Sequence, residues 1–185
     1  LGIEKTVNFL NGMFAFAIWD RKTKCLQLVR DRIGIKPLYW CMTRDGLFFA
    51  SELNAMKYNP KFSSTVNSHA ILSVLEKGYI SDDQTIYDGV NKLLPGTILV
   101  IKKNDQTPSI HSYWNFDKVV EKNQNKTLSN ICFENAVDEL EKILNETVNR
   151  QMVSDVSVGA FLSGGIDSSL ITSFIIVLGI ISSVF

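Results

Sequence analysis

The stretch from Asp155 to Thr172, DVSVGAFLSGGIDSSLIT, constrains this chain more than any other. Its opening run, Val156, Val158, Ala160, Phe161 and Leu162, has the length and composition of a buried parallel strand. Ser163-Gly164-Gly165 breaks the run, and after Ile166 the triplet Asp167-Ser168-Ser169 opens a second apolar segment of helix length. Strand, glycine turn and helix start together make an anion site. Glycines let backbone amides turn toward a ligand, and a helix N-terminus adds roughly half a unit of positive charge. Ser163, Ser168 and Ser169 add hydroxyls, so the group this geometry suits is a phosphate or pyrophosphate. A two-glycine turn before a helix is, taken alone, common as plain structure. The lysine-bearing P-loop pattern is absent, so no lysine reaches the outer phosphates here.

At 185 residues the chain could hold one ordinary domain or two small ones, and 45% hydrophobic with 21% charged residues reads as globular. Lys+Arg and Asp+Glu are both 19, so no charge excess points to nucleic acid or a membrane surface. Cys25, Cys41 and Cys132 are widely spaced and odd in number, which predicts reduced thiols rather than a disulfide frame or zinc site. Asn125-Lys-Thr127 and Asn145-Glu-Thr147 match glycosylation sequons, read as chance because no signal peptide precedes them.

Taken in order, the first residues run toward a strand. An Asn11-Gly12 turn leads into alternating Phe14, Phe16 and Ile18, and Cys25 to Arg30 alternates again after a polar turn from Asp20 to Lys24. Leu38–Cys41 and Leu47–Ala50 form a hairpin about Asp45-Gly46, giving four antiparallel strands by Ser51. Glu52 to Tyr58 reads as a short helix ended by Asn59-Pro60. Ser68 to Lys77 reads as a helix capped by Asn67 and stopped by Gly78. Thr85–Val90, Thr97–Lys103 and Ser109–Phe116 read as strands. Residues 117–129, rich in Lys and Asn and poor in periodicity, read as a linker. From about Ile131 to Met152 an amphipathic helix carries Phe133, Val137, Leu140, Ile143, Leu144 and Val148 on one face, a stripe best explained by core packing. The chain therefore divides into a mostly antiparallel β unit (1–116), a linker (117–129) and an α/β unit (130–185). One strand and one helix do not complete a doubly wound nucleotide domain, which predicts that the chain is a fragment.

Ser163-Gly164-Gly165-Ile166-Asp167-Ser168-Ser169 resembles the SGGxDS pyrophosphate loop of ATP-pyrophosphatase-type ligases. Arg30-Asp31-Arg32-Ile33-Gly34-Ile35-Lys36-Pro37-Leu38-Tyr39 and Phe49-Ala50-Ser51-Glu52 could, alone, be solvated loops. With LNGMFAFAIWD before them, Leu94-Pro95-Gly96 after them and the pair Tyr113-Trp114, they resemble the later part of the class II glutamine amidotransferase domain of asparagine synthetases. In that family this domain directly precedes the SGGxDS domain, the order seen here, and the resemblance spans Leu10 to Ser169. It implies an α+β, N-terminal-nucleophile αββα glutaminase domain followed by the start of an α/β doubly wound ATP-pyrophosphatase domain. The implied activity is cytoplasmic, ATP- and Mg2+-dependent amidation of aspartate by glutamine-derived ammonia. The ammonia passes through an internal tunnel, and β-aspartyl-AMP forms with release of pyrophosphate. The resemblance places Leu162 at a main-chain contact to the nucleotide and Ser163, Gly164, Gly165, Asp167, Ser168 and Ser169 at the phosphate cradle. Asp167 is also the candidate metal ligand. Partners so implied are aspartate, glutamine and ATP, with no nucleic acid or membrane, and with room for a homodimer.

Departures from the family pattern carry expectations of their own. The family's nucleophile is an N-terminal cysteine whose own α-amine acts as base, whereas this chain starts at Leu1 and its three cysteines are internal. No catalytic residue is therefore assigned within it. Ser157 stands where the family often has proline. Leu170 to Phe185 carries no charge, is too short for a confident membrane span, and fits a gene-model or reading-frame error. Two other readings remain: a relative with the same fold acting on another carboxylate, of β-lactam synthetase or peptide-cyclase type, and a non-catalytic remnant.

Overall fold

The structure is a computed structural model and describes residues 2–81, 83–124, 132–177, 179 and 183–184. Two compact units divide the chain, residues 1–122 and 123–185.

The first unit is built on two antiparallel sheets. Strands β1 (Ala15–Asp20), β2 (Cys25–Arg30), β6 (Thr97–Lys102) and β7 (Ser109–Ser112) make a four-stranded sheet in the order β1-β2-β6-β7. Strands β3 (Tyr39–Thr43), β4 (Gly46–Ala50) and β5 (Val90–Lys92) make a three-stranded sheet in the order β4-β3-β5. Register follows from the alternation of apolar residues. Ala17 opposes Leu28 and Phe16 opposes Val29, so even and odd positions of β1 reach opposite faces. One face of the first sheet and one of the second share a core of Leu28, Leu38, Leu93, Leu99 and Ile101, joined by Leu26, Trp40, Met42 and Leu47. On the far face of the first sheet, helix α1 (Ile3–Phe9) buries Val7 against Val29 and Ile98, with Phe14 and Phe16 alongside. On the far face of the second, helix α2 (Leu53–Met56) sets Met56 against Cys41 and Val90. The layer order is helix, sheet, sheet, helix.

The two hairpins and the helix α3 (Ser68–Lys77) fall where the sequence puts them. Asn67 Oδ1 accepts from the N–H groups of His69 and Ala70, and Gly78 closes α3 at φ +79°. Several expectations are corrected. The first residues form a helix because Ile3, Val7 and Leu10 recur on one side of it and find the first sheet. Thr85 to Val90 is not a strand. Thr85 Oγ1 donates to the carbonyls of Tyr87 and Val90 and accepts from the Tyr87 N–H, so a buried side chain replaces ladder bonds and only Val90–Lys92 pairs. Strand β7 stops at Ser112, because the Tyr113 and Trp114 N–H groups both turn onto Gly96 O. Part of the stretch read as aperiodic is helix α4 (Phe116–Gln124), with Phe116, Val119 and Val120 at helical spacing, while 125–129 lies outside the described residues.

In the second unit, helix α5 (Phe133–Gln151) packs against helix α6 (Ile166–Val177). Ile131, expected to open α5, lies outside the described residues. Between the two helices runs an apolar groove of about 360 Å³ floored by Leu140, Leu144 and Phe174. The expected buried strand shrinks to β8 (Gly159–Ala160), paired in parallel with β9 (Ser183–Val184). Val156 and Phe161, 75% and 87% exposed, are not buried. A two-residue partner covers neither face of the run, so its apolar side chains have nothing among the described residues to pack on. Only Val148, Ile175 and Thr172 are buried in this unit.

Candidate functional site

The sequence singles out the turn into α6, and the structure brings its residues together at the start of that helix. Gly164 sits at φ +77°, a left-handed conformation that glycine adopts without strain, and nothing lies within 4 Å of where its Cβ would stand. Gly165 O accepts the first helical bond, from Ser169 N at 3.0 Å, and also the hydroxyls of Ser168 (3.1 Å) and Ser169 (2.8 Å). Ser163 Oγ and Ser168 Oγ meet at 2.9 Å across the turn. The first-turn amides have no carbonyl one turn earlier to bond, and they face the open side of Gly164. Asp167 is exposed in that first turn, and Leu162 is 46% exposed just before it.

This arrangement fits a phosphate: amides, paired hydroxyls and an open glycine turn converge with no side chain in the way. For a divalent cation the fit is partial. Asp167 supplies one carboxylate, and no group of three or more His, Cys, Asp or Glu side chains that could hold a metal occurs among the described residues. Magnesium commonly binds through one or two carboxylates plus ligand phosphates, so Asp167 suits it only with a phosphate present.

The second string behaves differently from a solvated loop. Asp31 is 1% exposed, and its carboxylate accepts from the N–H groups of Ile33 (3.2 Å), Ile35 (3.0 Å) and Lys36 (2.9 Å). Burial alone would raise its pKa. The backbone donors from Lys36, Ile35, Gly34 and Ile33 outweigh that and hold the carboxyl below its ordinary value. Arg30 donates to the carbonyls of Lys36, Leu93 and Gly34, and Arg32 to those of Leu10 and Asn8 at the end of α1. Tyr113 Oη donates to Arg30 O at 2.8 Å, and burial pushes its phenol pKa up. Gly96 N donates to Asp31 O at 2.9 Å, so near Trp114 that a Cβ would stand 2.4 Å from that residue's carbonyl oxygen. These residues tie the turn after β2 to the turn before β6. They brace one wall of a cleft of about 520 Å³ lined by Met13, Phe14, Ala15, Phe16, Lys36, Pro37, Ser51 and Glu52. Sequence reasoning quoted this string without giving its members separate roles. An Arg-Asp-Arg set straight after an apolar strand and ahead of Gly34 and Pro37 is the signal that could have shown a pinned turn.

Cys25 and Cys41 are buried in strands, where burial raises the Cys41 thiol pKa, and Cys132 is exposed; all three are free thiols. No helix among the described residues is long and apolar enough to cross a membrane.

The family model for the glutamine amidotransferase domain matches residues 1–114, and this chain belongs to that family. The asparagine synthase model matches residues 139–176, which hold the turn into α6. Asparagine synthetase (glutamine-hydrolyzing) 3 of Bacillus subtilis is 34% identical over 171 residues, covering 92% of this chain and 26% of that protein. The putative asparagine synthetase (glutamine-hydrolyzing) 2 of Methanocaldococcus jannaschii is 32% identical, covering 92% of this chain and 32% of that protein. Amidase chry2 of Gibberella zeae is 30% identical, covering 91% and 24%. The chain thus spans a quarter to a third of the length of these relatives. Among solved structures, the B. subtilis glutamine phosphoribosylpyrophosphate amidotransferase complexed with ADP and GMP covers 99% of this chain and 34% of its own. At 16% identity and a TM-score of 0.37 that likeness is too loose to argue from.

Proposed function

We propose that this chain belongs to a glutamine-dependent asparagine synthetase, in which ammonia released from glutamine converts an activated aspartate to asparagine in the cytoplasm. Residues 1–116 would be the later part of an N-terminal-nucleophile glutaminase domain, 117–129 a linker, and 130–185 the start of a doubly wound ATP-pyrophosphatase domain. The observation that carries the reading is the open turn at Gly164, set before the first turn of α6 in the segment that matches asparagine synthase. Main-chain groups at Leu162 would position the nucleotide. The amides from Ser163 to Gly165, with the hydroxyls of Ser163, Ser168 and Ser169, would hold the outer phosphates and orient them as pyrophosphate leaves. Asp167 would meet magnesium. When bound, ATP and Mg2+ supply the activated phosphoanhydride and the charge neutralisation that carboxylate adenylation needs.

In the test, the protein carrying this chain is incubated with ATP, Mg2+, aspartate and glutamine. Asparagine, AMP and pyrophosphate are the expected products; ADP and phosphate would overturn the reading. Asp167→Asn should weaken the magnesium dependence while leaving the circular dichroism spectrum unchanged. A second reading, the same chemistry on another acceptor carboxylate, draws support from the relative named as an amidase. AMP and pyrophosphate released with a different acceptor, and not with aspartate, would favour it.

A further inference from the structure

Strand β1 is an edge strand with none of the usual protections. It reads Ala-Phe-Ala-Ile-Trp-Asp, with no lysine, no proline and no bulge, and among the described residues it pairs with β2 alone. Ile18 and Trp19 are 41% and 49% exposed on its two faces. An apolar edge of this kind presents a row of backbone donors and acceptors that only another extended backbone can satisfy.

The direction of each backbone group follows from one bond. Asp31 N donates to Phe14 O at 2.9 Å, so Phe14 faces the β2 side of the ladder. Antiparallel pairing alternates, so Phe16 and Ile18 bond toward β2 while Ala15, Ala17 and Trp19 turn their N–H and C=O groups outward.

We propose that this edge binds the same edge of a second copy of the chain, antiparallel about a twofold axis at Ala17, joining two four-stranded sheets into one. The outward groups impose the register. Ala17 bonds Ala17 of the copy, and Ala15 bonds its Trp19. Phe16 then packs on Ile18 of the copy, on the same face, as an aromatic against β-branched cross-strand pair. Charges agree with this pairing. Arg21, just past the end of β1, falls opposite Met13 of the copy, in the cleft whose rim carries Glu52. The chain's formal net charge of zero adds no general repulsion. Asp20, the one charge on the strand, is turned into its own chain, where its carboxylate accepts from Lys22 N (2.8 Å) and Thr23 N (3.3 Å). A single strand pair buries less than a standard interface, so the association should be weak and micromolar.

The 185-residue chain is tested by analytical ultracentrifugation across a micromolar concentration series. A mass rising from one copy to two is expected. Ala17→Pro removes an N–H that points outward and so breaks no bond to β2; it should hold the chain as a monomer with its circular dichroism and melting temperature nearly unchanged. Ile18→Lys, at a half-exposed position, should do the same by placing like charges across the axis. Glu52→Lys should weaken the dimer, and adding Arg21→Glu should restore it. A chain that stays monomeric throughout the series overturns the proposal. So does a dimer that persists in folded Ala17→Pro and Ile18→Lys, which would put the contact on another surface. Neither outcome depends on activity, so failure here leaves the synthetase reading untouched.

Discussion

Asp31 shows how a charged side chain can be a piece of architecture. Its three measured N–H bonds stand in for a ladder at a turn that leaves the sheet. An amide cannot accept at both ends, so Asp31→Asn should cost about 1–3 kcal/mol in urea unfolding. The native carboxyl is held below its ordinary value. Its contribution is therefore fully present above the unfolded pKa, near 4, and is lost as pH falls through the lower native one. The stability of the native chain should drop more steeply below about pH 4 than that of the Asn variant; parallel curves would contradict this. Two left-handed glycines give a contrast of the same kind. Gly96→Ala meets Trp114 O at 2.4 Å and should lose well over the ~1–2 kcal/mol of backbone strain alone. Gly164→Ala, with open space ahead of it, should lose only about that strain, yet should weaken pyrophosphate binding measured by calorimetry.

Helix α3 was legible almost to the residue, because its limits are written locally. Asn67 caps it and Gly78 ends it, and Asn67→Ala should destabilise the first unit by about 1 kcal/mol, checked by chemical denaturation. The hairpin β3–β4 was legible for a similar reason, its turn falling at Arg44-Asp45 between the paired Thr43 and Gly46. What the sequence hid depends on distant partners. Thr85 looks like a strand residue until its hydroxyl is seen to bond Val90 O, and β7 ends because Gly96, far away in sequence, captures Tyr113 and Trp114. The run from Val156 to Leu162 has a strand's composition, but burial is a property of what lies against it, and composition does not carry that. At the turn into α6, the positive φ of Gly164 was readable from the glycine itself. The buried carboxylate of Asp31 was not, since an Arg-Asp-Arg triplet reads as solvated until its backbone donors are placed.

The two units differ in how much they bury. The first holds three clusters that include Leu28, Leu99, Val7, Val29 and Cys41, whereas the second buries few side chains and leaves Phe133, Leu140 and Ile143 of α5 exposed. Amide hydrogens of α5 and α6 should therefore exchange well before those of β2 and β6, as read by mass spectrometry; equal protection would show a stabilising contact that these residues do not make. The tie between the turns has a consequence for synthesis. Arg30 reaches Leu93 O across 63 residues, and Tyr113 reaches Arg30 O across 83. Contacts so far apart in sequence must wait for loop closure and slow the search for the native state. On a translating ribosome, the Arg30 turn leaves the tunnel long before Tyr113 has been added, so β1 and β2 emerge as a lone hairpin with an unguarded apolar edge. In that interval the nascent chain should need a chaperone most, and slowed translation between β2 and β6 should lower the yield of folded protein.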